Sequence, residues 1–169
     1  MYKRFIILFL VICTAVLAVF GGAVYAVDPL TLYRAPADFT KVIYQVPDCQ
    51  NTGIARYCEY DTVITGTSMT ENFRAYWFDE AGLSKRAVRL CYGGGSIEDF
   101  DVFLGTALKS RDIKTVYFGL DNYLTAPDGK QKEKTLRIPP SLIDGRALTD
   151  VNYLLNRYVM FNDVKNWFS

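Results

Sequence analysis

Uncharged residues run without a break from Phe5 to Val27, a stretch of 23 that ends at Asp28-Pro29. About 20 apolar residues cross the hydrocarbon core of a bilayer as a helix, so residues 1–27 predict a transmembrane segment. From 28 to 59 no period is sustained. Pro29, Pro36, Pro47 and Asn51-Thr52-Gly53 break the pattern, and an irregular juxtamembrane segment is expected. From 60 to 169 a rhythm sets in. Short β-branched and aromatic runs at Tyr60–Thr65, Ala87–Tyr92 and Thr115–Phe118 predict strands. Helical periods follow the first two, over 69–81 (Phe73, Trp77, Phe78) and 97–110 (Phe100, Phe103, Leu104, Ala107). Past the third strand come a lysine-rich loop at 128–134, the breaker Pro139-Pro140, and a helix from a Thr149 or Asp150 cap through about Phe161.

Strands that alternate with helices predict an α/β domain with a parallel sheet and right-handed crossovers. In such sheets ligands bind beyond the carboxyl ends of the strands. Three turns therefore gather at one edge: Thr67-Ser68 after the first strand, Gly93–Ser96 after the second, Asp121-Asn122 after the third. Each has two readings. Ser68 is either a helix cap or a nucleophile beside unpaired helix N–H groups. The glycines either permit a tight turn or let a substrate approach backbone donors.

Composition narrows the chemistry. The 169 residues include 19 basic and 18 acidic side chains, a net charge of +1, with no basic stripe for nucleic acid. There is no histidine, which excludes a Ser-His-Asp triad and a His-ligated zinc site within these residues. Neither a G-x-G-x-x-G fingerprint nor a C-x-x-C pair is present, so no cofactor and no metal are implied. Lys3 and Arg4 before the apolar run, and Asp28 after it, place the amino terminus in the cytoplasm and the domain outside. A cleavable signal peptide with Val24-Tyr25-Ala26 at its cleavage site is the rival reading. In either case the compartment permits a disulfide, and Cys49 with Cys58 is the candidate pair.

The segment Tyr60-Asp61-Thr62-Val63-Ile64-Thr65-Gly66-Thr67-Ser68-Met69-Thr70-Glu71-Asn72-Phe73 resembles the first block of the SGNH (GDSL-like) hydrolases, where Gly-Asp-Ser-Leu is the usual wording. Together with Gly53-Ile54-Ala55-Arg56, Gly94-Gly95-Ser96 and Gly119-Leu120-Asp121, it is similar to a group of membrane-anchored SGNH-like proteins of Gram-positive bacteria. The resemblance covers residue 28 to the end. It implies a three-layer, flavodoxin-like α/β fold, single-pass attachment to the cell membrane, and an esterase or O-acyltransferase acting on cell-envelope polysaccharide.

Under this resemblance Ser68 is the nucleophile and one oxyanion donor, and Gly94 is a second donor. The family's third-strand asparagine falls at Asp121, with Asn122 one residue on. An ionised carboxylate cannot donate a hydrogen bond, so either Asn122 substitutes or Asp121 orients the turn. The family's Asp-x-x-His block is absent. The reading is therefore of the amino-terminal part of a longer enzyme with an incomplete sheet, inactive alone. The alternative is a non-catalytic pseudoenzyme that binds a glycan or a membrane partner through the same cleft, for which Tyr76, Trp77, Tyr92 and Tyr123 are candidate sugar contacts.

Overall fold

The computed structural model describes residues 2–36, 47–122, 143, 146, 148–157 and 159–164. The expected loop 128–134, Pro139-Pro140 and Tyr123 lie outside them. Three parallel strands, β1 (Thr62–Gly66), β2 (Ala87–Cys91) and β3 (Thr115–Gly119), form a sheet in the order β2-β1-β3. Thr62 pairs with Ala87 and Thr115, and Gly66 with Cys91 and Gly119, so the three strands end level. Every residue of central β1 is buried, as a parallel strand covered on both faces requires. The expected α/β class and parallel sheet are those observed.

Helices pack on both faces. On one, α4 (Ile97–Ser110) and α2 (Pro47–Tyr57) enclose the main core. Ile54, Ala55 and Cys58 meet Val63, Leu90, Tyr92, Phe100, Phe103 and Ala107 there. On the other, α3 (Ala75–Glu80) lays Phe78 on Tyr117, with ring centroids 4.8 Å apart. Phe118, the next residue along β3, meets Phe100 of α4 at 5.7 Å, as the alternation of a strand demands. Ser96 starts α4 with a capping box: Asp99 N–H donates to Ser96 Oγ, and Ser96 N–H to the Asp99 carboxylate.

Three expectations are corrected. Residues 28–59 are not one irregular segment, because α2 is a helix built into the core and the globular domain reaches back at least to Pro47. Its apolar positions are few, and an Asn-Thr-Gly run inside it reads as a loop. The helix expected over 69–81 is broken. A 3-10 turn at Thr70–Asn72 is followed by extended backbone at Phe73 and Arg74 before α3 begins. The Arg89 guanidinium, reaching from the α3 face of β2, binds the carbonyls of Glu71 and Phe73 and holds this break open. The helix expected to run through Phe161 is likewise divided, into α5 (Val151–Leu154) and a π-helical segment (Val159–Val164).

The Cys49–Cys58 disulfide is also corrected: the two are not bridged. Nine residues along a helix separate their Cα atoms by about 13 Å of rise. A disulfide tolerates no more than ~7 Å.

The apolar helix α1 (Tyr2–Val27) does not stand apart from the domain. Val24 is fully buried in a second cluster with Leu30, Tyr153, Val159 and Val164. At its end the chain turns on Asp28, a residue only 4% exposed. It accepts the N–H groups of Leu32 (2.9 Å), Tyr33 (2.9 Å) and Arg34 (3.1 Å), and the Tyr153 hydroxyl at 3.0 Å. Four donors make the buried charge tolerable and hold Asp28 and Thr31 at positive φ, 47° and 53°. Next, α2 binds this knot to the sheet. Gln50 Nε2 donates to Pro29 O at 2.9 Å, and Asn51 Nδ2 to Cys91 O at 3.2 Å. Gly53 lies so close to Thr31 that a Cβ there would fall 2.1 Å from its carbonyl oxygen.

Burial pushes the Cys58 thiol up to about 11 and the Cys91 thiol up to about 12. Unfolded thiols ionise at roughly 8.5, so above that pH the native state holds protons that the unfolded state has lost. The stability they contribute is complete below this value and declines as pH rises toward the folded values. Thermal melts in detergent between about pH 7 and about pH 10 are expected to show that decline. A Cys58→Ala, Cys91→Ala chain is expected to show a flatter one.

Candidate functional site

The strands end in small residues. Gly66 and Gly119 are register partners, and the Thr70 side chain, 4% exposed, is seated over both. A Cβ on Gly66 would come 2.2 Å from Thr70 Oγ1, and one on Gly119 would come 2.1 Å from it. Gly66 is at φ 148°, which an L side chain rarely adopts. The glycines thus let the turn after β1 fold down onto the carboxyl rim of the sheet. Ser68 is raised at the turn's crest.

Ser68 is exposed, and no described residue hydrogen-bonds its hydroxyl or its N–H. It is not a helix cap. The following turn is headed by Met69 and has no side-chain cap bond, while Thr70 N–H goes to Thr67 O at 2.9 Å. This removes one of the two readings open in the sequence. It also removes the long helix whose N-terminus was to supply oxyanion donors.

Thr67, Ser68, Met69, Gly94, Asp121 and Asn122 line one cleft of about 380 Å³. All four site residues picked from the three turns are in its wall. Thr67 is buried, and its hydroxyl donates to the Asp121 carboxylate, tying the third turn to the first. Asp121 accepts in this pair, and a carboxylate, when ionised, has no hydrogen to offer an oxyanion. Asn122, the neighbouring residue in the cleft wall, has a side-chain amide that can donate. Gly94 adopts φ 73°, which bends the second turn toward the cleft. Ser68 Cβ lies 3.5 Å from where a Cβ on Gly93 would sit, so the first two turns are in contact.

Glu71 was not singled out in the sequence. Its carboxylate accepts the Gly93 N–H at 3.1 Å and pins the glycine run beside Ser68. No local signal marks it, because its partner belongs to another turn. Of the aromatics, Tyr92 is buried in the core and is no sugar contact, while Tyr76 and Trp77 are 54% and 46% exposed. Tyr76 lines a larger hollow of about 540 Å³ beside β2, with Arg74, Arg86 and Arg89. That hollow contains none of the turn residues.

Comparison with protein-family models, curated proteins and solved structures finds no match to this chain. The site therefore rests on its own geometry.

The Thr70 seat makes a sharp test. Gly119→Ala is expected to cost ~1–3 kcal/mol, because its methyl meets the Thr70 hydroxyl. Thr70→Ala removes that oxygen and leaves only an ordinary 3.4 Å contact with Cβ. The double variant is then expected to be less destabilised than the sum of the singles, measured by denaturant unfolding in detergent. Additive losses would mean the threonine is not seated as described.

Proposed function

We propose that this chain is a membrane-anchored, SGNH-like esterase or O-acyltransferase domain that acts on acylated polysaccharide outside the cytoplasm. The observation that carries the reading is the meeting of Ser68, Gly94, Asp121 and Asn122 in one cleft at the carboxyl edge of a parallel sheet. Topology alone brings these residues together. Ser68 offers an exposed hydroxyl and an N–H that no described residue binds, two of the groups acyl transfer uses; the base that would activate the hydroxyl is not among them. The three-layer fold of that family is the architecture the two covered faces suggest.

The step follows from the chemistry. Ser68 Oγ attacks the acyl carbon, its proton passes to a base, and the carbonyl electrons are held as an oxyanion by the Ser68 N–H and a donor from the facing wall. Collapse expels the sugar oxygen, which takes up a proton, and the acyl-serine then passes to water or another hydroxyl. No histidine of these 169 residues can serve as the base. The two nearby carboxylates are engaged elsewhere, Asp121 with Thr67 and Glu71 with the Gly93 N–H. A positioned base supplies ~10²–10⁴-fold, so the chain by itself is expected to be slow.

Anchoring is the second half of the reading. Helix α1 is long and apolar enough to cross a membrane, with a mean hydropathy of 2.8, a test that a signal sequence also passes. The packing favours retention. Cleavage after Val24-Tyr25-Ala26 would remove Val24 from the cluster around Tyr153 and free the chain just before Asp28. A non-catalytic glycan-binding module is the alternative favoured by the exposed Tyr76 and Trp77, and it requires Ser68 to be inert.

Two measurements decide. A fluorophosphonate probe is expected to label the purified chain slowly, with labelling accelerated by added imidazole acting as the missing base and abolished in Ser68→Ala. Equal labelling of Ser68→Ala, or none with imidazole present, would leave the binding module as the better reading. The intact mass of membrane-extracted protein is expected to include residues 1–27. A mass lacking them would establish a cleaved signal.

A further inference from the structure

The segment from Val151 to Val164 packs on the outer third of the apolar helix α1. Leu154 and Leu155 sit on Gly21, whose added Cβ would be 3.8 Å and 3.7 Å from them. Phe161 meets Phe20 edge-on at 6.2 Å. Counting from Phe5, the first residue after the basic pair, Phe20 stands about 22 Å up the helix at 1.5 Å per residue. The hydrocarbon core is ~30 Å thick, and even a thin bilayer is ~27 Å. Helix tilt lengthens the path and carries Phe20 deeper still. Residues packed at the level of Phe20 and Gly21 therefore lie below the outer boundary of the hydrocarbon.

The apolar side chains there suit that depth, while the exposed Asn152, Asn156 and Arg157 of the same stretch have to reach the headgroup layer. Leu155 is 38% exposed and Phe161 60%, and Val151 and Leu148 add more uncovered apolar surface. An independent marker fixes the boundary. About 30 Å from Phe5 falls at Tyr25. There the Tyr25 and Tyr33 rings lie 4.9 Å apart, with the Arg34 guanidinium 5.0 Å above the Tyr25 ring. Arg34 also binds the last helix carbonyls, those of Tyr25 and Ala26. Aromatic rings and a basic group that caps exposed carbonyls are what the headgroup layer collects. The fully bonded Asp28 comes just above.

From this we infer that α5 and the Val159–Val164 segment form a second, shallow membrane element, with Leu155 and Phe161 in contact with the acyl chains of the outer leaflet. The inference rests on the anchored reading of α1. It makes the bilayer, not another protein, the occupant of this apolar flank, by continuity with the helix it packs on.

The test uses the full chain in phospholipid nanodiscs, with the photoreactive residue p-benzoylphenylalanine placed singly at Leu8, Leu155, Phe161 and Tyr76. Each of these side chains is substantially exposed, so the fold is retained. Tyr76 belongs to α3, on the sheet face away from α2. After illumination, lipid adducts found by mass spectrometry at Leu8, Leu155 and Phe161, and absent at Tyr76, are expected. Adducts at Leu8 with none at Leu155 and Phe161 would overturn this inference and leave the anchor intact. Adducts at Tyr76 equal to those at Phe161 would overturn it as well. Their absence at Leu8 would remove the anchored reading and this inference with it.

Discussion

A carboxylate with almost no access to solvent has to be fully hydrogen-bonded, and Asp28 meets that condition at the point where the chain leaves its apolar helix. Its acceptors take up three consecutive backbone N–H groups and a tyrosine hydroxyl from more than a hundred residues away. None of these partners can be withdrawn without stranding the charge. The requirement bends residues 28–34 into one compact knot and brings Tyr153 to it. It also presents the Pro29 carbonyl and Thr31 to α2. From α2 the constraint passes to the sheet through Asn51 and the shared core of Ile54, Ala55 and Phe103.

The cleft depends on the other end of that chain of contacts. Asn51 binds the last carbonyl of β2, immediately before the glycine turn, and Arg89 of the same strand fixes the segment after Ser68. Thr70 over Gly66 and Gly119, Glu71 on Gly93 and Thr67 on Asp121 then close the three turns on one another. Polar bonds between turns, more than apolar packing, set the cleft's shape. An arrangement built this way holds backbone donors in place without a long helix behind the serine, and its electrostatics are preformed.

Much of this was legible because periodicity and topology suffice for it. The three strands are within two residues of where β-branched runs placed them, and α4 runs from Ile97 to Ser110 as its apolar face predicted. The gathering of Ser68, Gly94, Asp121 and Asn122 followed from the parallel sheet alone. What was hidden is tertiary. The Phe73, Trp77 and Phe78 spacing looked helical, but Phe73 lies before the helix and Trp77 faces solvent. Arg89, from another strand, binds the carbonyls at the break. Likewise α2 carries Gln50, Asn51 and Thr52 in the interior. A helix buried by hydrogen bonds to distant carbonyls, not by an apolar stripe, has no local signature.

The clamp at Asp28 has a mechanical corollary. A catalytic head on a flexible tether sweeps a volume and can reach substrates at many distances from its root. A head bolted to its stem by Gln50, Gly53 and Tyr153 sweeps only a plane. Were α1 to float in a bilayer and Ser68 to act as proposed, the serine would travel at one fixed altitude and in one orientation, and encounter would be set by lateral diffusion and by the height at which the acyl ester is presented. Selectivity among chemically identical esters would then come from elevation as much as from the shape of the cleft.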